Sequence, residues 1–474
     1  MLFGLAVVGL LAGYFFALTR PEYFSNADYL GALVLAELVI VSLWFYETIF
    51  YPLLMFFFLW AGLEVPFSSV GTAGRWLVLV VAAFAGFPMW MRHARQAYNA
   101  FHLVALCCVA TALVSALVSA DQRTSLLKVL SLFLLFLYGS TGARLAILGR
   151  ESQFVRGLLI ACEITVYASA VSYLGLGISL WGNPNSLGAV MGVVMVPVLL
   201  WGVMVAETRI QRYRRLMALL IAGILLYMSL SRASILAAVV AVGILCFCLR
   251  RQRLLWQGTI LSIVFLSAAA MLNPNHFENL MSSFTSDVLY KGKTEQGLLG
   301  SRLSPWQETV QVIKERPWFG TGFGTSYMGE NAPLRALDPS ISSGALRTGS
   351  GSNREHGNSY LALTEYVGLV GSFPFAILVF LVMRMVFQVC SWMRRSSTPY
   401  HCAIPLAMVL LAGLIHAFFE DWLTAVGYYL CVFFWTSAFM MRDIIPARQA
   451  IRVSSEYTEH PGAAHPYAAV TPNR

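Results

Sequence analysis

The chain of 474 residues is 58% hydrophobic and 12% charged, with 32 Lys and Arg against 23 Asp and Glu and a formal net charge of +9. So few charges cannot coat a soluble domain, and the composition is that of a polytopic membrane protein. The basic excess is spread over short connections, which argues against a nucleic-acid surface. The eight cysteines all fall in or beside apolar stretches, so neither a disulfide framework nor a zinc site is indicated.

In chain order, the first apolar run, Leu2 to Leu18, lacks a basic leader and a small-residue cleavage site before Arg20, and reads as a span rather than a cleavable signal. Further spans are predicted at 29–45, 50–65, 76–91, 101–119, 126–142, 156–177, 185–206, 215–231, 233–249, 255–272, 359–387, 403–419 and 421–441. The expected fold is an all-α polytopic bundle of about fourteen (about 12–14) transmembrane helices with one long extracytoplasmic loop. Basic residues cluster in alternate connections: Arg92/Arg95, Arg144/Arg150/Arg156, Arg209/Arg212/Arg214/Arg215, Arg250/Arg251/Arg253, Arg394/Arg395 and Arg442/Arg448/Arg452. By the positive-inside rule these connections and both termini are cytoplasmic, and segment 273–357 faces outward.

The chain thus divides into a membrane domain, 1–445, and a polar, Pro/Ala/Ser-containing tail, 446–474, expected to be a disordered cytoplasmic segment. Within the domain lie an N-terminal scaffold (1–182), a core (183–390) and closing helices (391–445). The 273–357 loop is too long for an idle connection. Its eight basic and eight acidic residues balance. A helix is predicted from about Pro305 to Glu315, followed by "PWFGTGFG". These glycines follow an amphipathic helix, not a buried strand, so a nucleotide cradle is a poor fit. A tight turn folding the loop over the membrane domain is favoured over direct phosphate contact.

Four segments carry polar residues in an order that bears on function: "WGNPNSLGAVMG" (181–192), "LSRASILAAVV" (230–240), "GSRLSPWQETVQVIKERPWFGTGFG" (300–324) and "EHGNSYLALTEYVGLVG" (355–371). Arg232 stands in a short turn between apolar helices, where it is either an interfacial anchor or a partner for an anion. Arg302 is by default a loop charge. His356 sits just before a span, with Asn358 and Ser359 as possible caps; a lone histidine is commonly structural, yet it is the side chain best suited to proton transfer near neutrality. Glu365 is either a buried polar partner or a helix-end group. Asn183 and Asn185 read first as turn residues and second as sugar contacts. "IHAFFEDWL" (415–423) places His416, Glu420 and Asp421 at an outer turn, either solvated or shaping an acceptor site.

Together and in this order, the four segments resemble the O-antigen ligase and polymerase superfamily of membrane glycan transferases. The resemblance implies a membrane fold of the glycosyltransferase C type and an enzyme of the bacterial inner membrane that needs no metal or other cofactor. The donor would be an undecaprenyl-pyrophosphate-linked oligosaccharide, the acceptor a second glycan or lipid A core, with membrane lipid around them. On this resemblance His356, Arg232 and Arg302 are the expected catalytic residues, and Asn185, Asn358, Tyr360, Glu365, Gly322 and Gly324 the expected substrate contacts. Two arginines suit a diphosphate because guanidinium forks bind phosphate oxygens bidentately. His356 would act as base toward the acceptor hydroxyl, and direct displacement would invert the anomeric centre. A polymerase of surface polysaccharide is favoured over a ligase or a protein-glycosylating transferase. A transporter without chemistry is the competing class, with Glu37 and Glu163 as its best mid-span charges.

Overall fold

The computed structural model describes residues 2–20, 22, 27–63, 68–93, 98–178, 180–253, 256, 260, 267, 300–325 and 356–446. Most of the predicted span 255–272, the loop stretches 273–299 and 326–355, and the tail from 447 lie outside the described residues. Every regular element among the described residues is helical. They are α1 (Leu2–Thr19), α2 (Ala27–Trp60), α3 (Ser68–His93), α4 (Ala100–Leu117), α5 (Gln122–Ser140), α6 (Gly142–Ile147), α7 (Glu151–Ala170), α8 (Pro184–Ala189), α9 (Val196–Met204), α10 (Arg209–Met228), α11 (Arg232–Cys248), α12 (Gly300–Glu315), α13 (Ser359–Ser396), α14 (Ala403–His416) and α15 (Tyr429–Ile444). A wider π-helical turn, Val190–Met195, joins α8 to α9, and another, Val171–Gly175, ends α7.

Six helical stretches among the described residues are long and apolar enough to cross a membrane by length and composition: Val70–Arg92, Ala100–Leu117, Gln122–Ile147, Glu151–Gly175, Pro184–Met204 and Ser359–Ser396. Shorter apolar helices, Phe50–Trp60, Arg232–Cys248 and Ala403–His416, stand beside them. This is fewer than the predicted count, and most of the span predicted at 255–272 lies outside the described residues. The solvent of the bundle is legible in its surface. Phe373, Phe387, Ile164 and Val239 are each more than 60% exposed, an apolar exterior that water would not tolerate but lipid does.

The helix α2 corresponds to two predicted spans, and its contacts show why. Atoms of both Leu35 and Phe57 lie within 4 Å of where a Gly74 Cβ would sit. A straight helix would hold those residues about 33 Å apart. The helix therefore folds back on itself between them, keeping the alternation of the two predicted arms. At the other end of the chain, the span predicted at 421–441 begins later, at Tyr429, because residues 417–428 form a turn. Trp422, Leu423 and Val426 made that turn look helical, but they are buried as a plug over the bundle end.

The bundle has two chemically different ends. One carries the basic connections. There Arg144 makes two bonds to Asp443 (2.5 and 2.6 Å), donates to His102 Nε2 (3.1 Å) and covers the Trp90 ring at 4.0 Å. Arg144 and Asp443 are only 1% and 5% exposed, so a residue that read as a topology-setting charge is a buried clamp between α6 and α15. Arg144→Ala would leave Asp443 buried and unpaired, and is expected to cost roughly 3–5 kcal/mol. A thermal midpoint in detergent checks this, and an unchanged midpoint would mean that water reaches the pair. Glu163 is likewise paired, with Arg214 at 2.6 Å, and Glu37 accepts from the Tyr14 hydroxyl at 3.0 Å. Both of the charges that a transporter reading would use therefore have protein partners.

Candidate functional site

The opposite end gathers the four sequence segments. It begins with a break in α13. At Gly368 the backbone takes φ 69° and ψ −178°, and the helical ladder is interrupted. Inside an apolar bundle the freed backbone groups must find protein partners. The glycine-rich loop supplies them. Thr321 and Gly322 N–H donate to the carbonyls of Glu365 (2.9 Å) and Tyr366 (3.1 Å), while Leu369 and Val370 N–H donate to Pro317 (2.7 Å) and Trp318 (3.3 Å). Only glycine permits this approach. At Gly320 (φ 72°) a Cβ would run into the Glu365 and Tyr366 carbonyls, and at Gly368 into the Trp318 carbonyl.

The N-terminal scaffold holds the far side of the loop. Ser125 Oγ donates to Phe323 O (3.0 Å), Ser119 and Thr325 share a hydroxyl bond (3.1 Å), and Lys128 Nζ donates to Gly324 O. Gly322 and Gly324 thus have a backbone role: Gly322 joins the outer loop to α13, and Gly324 ties it to Lys128 of α5. The tight-turn reading describes this geometry better than a phosphate cradle.

The start of α13 is built by its caps. Asn358 is the N-cap, its Oδ1 accepting from Tyr360 N (2.9 Å) and Leu361 N (3.1 Å). Tyr360 donates to Leu414 O (2.9 Å). Ser359 Oγ donates to Glu420 O (2.6 Å) and accepts from Trp422 N (3.0 Å) and Leu423 N (3.1 Å), stitching the 417–428 turn to the helix. These contacts fix His356 against Asp421 and Glu420 beside Arg302.

His356 is fully buried between carboxylates. Nδ1 lies 2.8 Å from Asp421 Oδ2, and Nε2 lies 3.3 Å from Glu365 Oε2. The Tyr366 hydroxyl also donates to Asp421 Oδ2 (3.2 Å). Burial opposes a charged imidazole, but the hydrogen bonds and charges of Asp421 and Glu365 outweigh it and raise the pKa from 6.5 to about 9. His356 is thus a cation at neutral pH with both nitrogens engaged, whereas the sequence reading has it as a ready base. Because the folded value lies above the unfolded one, its stabilisation is complete below pH 6.5 and is lost as pH rises through about 9. The melting temperature is expected to fall through that window, and His356→Gln to flatten the fall; equal slopes in both proteins would show that another group sets it.

Arg302, on the first turn of α12, pairs with Glu420, and its NH1 lies 2.8 Å from where a Gly357 Cβ would stand. Arg232, the first residue of α11, is within electrostatic reach of Arg302. The structure therefore brings Arg232, Arg302 and His356 to one end of the bundle. Asn185 sits at that end too, half-buried, its N–H donating to the Asn183 side chain (2.8 Å) as a turn residue. Glu365 takes the buried-partner role of its two readings.

Two groups add to this end. His416 is 2% exposed, and its Nδ1 accepts from the Trp422 indole N–H at 2.8 Å. An indole only donates, so the ring is neutral with its proton on Nε2, and that buried nitrogen has no acceptor among the described residues. It lies within electrostatic reach of Arg302. Lys128, within reach of Asp421, was passed over in sequence although a lone lysine in "SLLKVLSL" is a signal in its own right.

Residues 216–376 match the family model described as O-antigen ligase. The resemblance to the O-antigen ligase and polymerase superfamily is thereby shown over that stretch, which runs from α10 into α13 and includes Arg232, Arg302, His356 and the Gly368 break. It supports a membrane glycan function of ligase or polymerase type. No curated protein matches the chain.

Proposed function

We propose that this protein transfers or polymerises glycans carried on undecaprenyl pyrophosphate at the outer face of the bacterial inner membrane. The observation that carries the reading is that Arg232 and Arg302, from separate helices, stand at one end of the bundle, with Arg302 within electrostatic reach both of Arg232 and of His416, whose buried Nε2–H is a donor. Two guanidinium groups at one end of the bundle, one of them held in place by Glu420, suit a diphosphate, whose oxygens can accept from several donors at once. The lipid diphosphate is already a good leaving group, so the site need only neutralise it, exclude water and activate an acceptor hydroxyl.

On this reading the basic end is cytoplasmic, both termini lie there, and the bundle completes about fourteen spans in a glycosyltransferase C arrangement. An apolar cavity of about 520 Å³ between α2, α7 and the Val190–Met195 turn offers space for part of a lipid tail. Tyr429, on its wall, donates to Ser186 O (3.1 Å), linking it to the α8 end of the site. A polymerase is favoured because nothing in the chain marks a lipid A core acceptor.

The test is transfer by purified protein from undecaprenyl-pyrophosphate-linked oligosaccharide, with chelator present. A ladder of products with release of the lipid diphosphate is expected. A single addition to lipid A core would make the protein a ligase, and an unchanged donor with every acceptor would overturn the reading.

A further inference from the structure

The proton of the acceptor hydroxyl needs a destination, and the burial pattern selects one. His356 has no exposed surface in its side chain and both ring nitrogens face carboxylates, so a substrate hydroxyl has no path to either nitrogen. Glu365 is equally buried, on the far side of the ring. Asp421 is 17% exposed, and the bonds from His356 and Tyr366 both fall on its Oδ2. Its Oδ1 takes part in neither bond. Glu420, 20% exposed, is committed to Arg302.

We infer that Asp421 Oδ1 is the proton acceptor for transfer, and that His356 is a positioning residue, a charged strut holding Asp421 against Glu365. The inference rests on the glycan-transfer reading. In the step, the acceptor oxygen bonds to the anomeric carbon while the bond from that carbon to the diphosphate oxygen breaks. The electron pair leaves on the lipid diphosphate, and the hydroxyl proton passes to Asp421 Oδ1. Before the step the Asp421–His356–Glu365 chain holds two carboxylates and one imidazolium; gaining a proton brings it to neutrality, which a buried cluster favours. Tyr366 steadies the second oxygen, while Lys128 and the Arg302–Glu420 pair form the charged surroundings of Asp421 and the strut.

Turnover and donor affinity, measured separately on the full-length protein in detergent, test this. Asp421→Asn is expected to lower kcat by about 100-fold or more while donor Kd changes by less than about 3-fold. Asp421→Glu, which restores a carboxylate, should recover part of the rate. In the wild type, kcat should decline as pH rises through about 9, where His356 loses its proton, and His356→Gln should erase that limb. A kcat that instead climbs through about 9 would make neutral His356 the base and overturn the inference, as would Asp421→Asn at wild-type kcat. Either result leaves the transfer reading standing, since the wild type would still turn over; a wild type that neither binds nor consumes the donor would sink both.

Discussion

Arg302→Lys is expected to lose about 100-fold in transfer or more, although it keeps the charge. Arg302 is held at the start of α12 with one nitrogen on Glu420 and the guanidinium against Gly357, so its position and plane are fixed by neighbours. A bound diphosphate would meet a rigid fork with several donors. Lysine offers a single compact ammonium on a flexible stem, which reaches neither Glu420 and phosphate together nor two phosphate oxygens in one plane. The loss should fall mainly on donor affinity. The same exchange at Arg316, an exposed position just past α12, should leave the rate near wild type. Thermal midpoints of both variants separate lost chemistry from misfolding. Full activity of Arg302→Lys would reduce Arg302 to a structural partner of Glu420 and leave Arg232 as the remaining guanidinium for the donor.

Gly368→Val should be nearly as damaging, by another route. The residue has a backbone conformation, essentially confined to glycine, that costs another residue roughly 1–3 kcal/mol, and its Cβ would collide with the Trp318 carbonyl, adding roughly 1–3 kcal/mol. The loop would be pushed off α13, exposing the unpaired carbonyls of Glu365 and Tyr366. Because Glu365 and Tyr366 also contact His356 and Asp421, activity is expected to fall together with protection of the 317–325 loop from added protease. Gly223→Val, where a Cβ meets nothing within 4 Å, should be mild by both measures. Intact protection and full activity in Gly368→Val would mean that the splice does not hold the site.

The helical bundle and the polar segments could be read from the chain because each is local: an apolar run, or a charge at its end. Arg232 stands out by its place in a short turn between apolar runs, whereas Arg302 and His356 stand out only through the resemblance of their segments to a known family. Their partners do not stand out, because Glu420 is 118 residues from Arg302 and Asp421 is 65 from His356, and no local pattern encodes a contact across that distance. The same gap hid the Asp421 carboxylate against which His356 packs, a neighbour that favours its protonated form. Arg144 was hidden differently: its neighbours Arg150 and Arg156 gave it a topological explanation, while Asp443, which buries it, lies in the last helix. The break at Gly368 was invisible because a glycine in "EYVGLVGSF" looks like any small residue in a span. Only the matching loop, with its own glycines in left-handed conformations, reveals that two segments were shaped for each other.

The central claim, that Arg232 and Arg302 together form a diphosphate site, is met most directly by an experimental structure of the protein with a non-transferable lipid diphosphate. The account predicts diphosphate oxygens within about 2.7–3.1 Å of guanidinium nitrogens from both arginines, with the His416 Nε2–H turned toward the same anion. A diphosphate bound at the basic end of the bundle, or at this end but out of reach of both arginines, would contradict it.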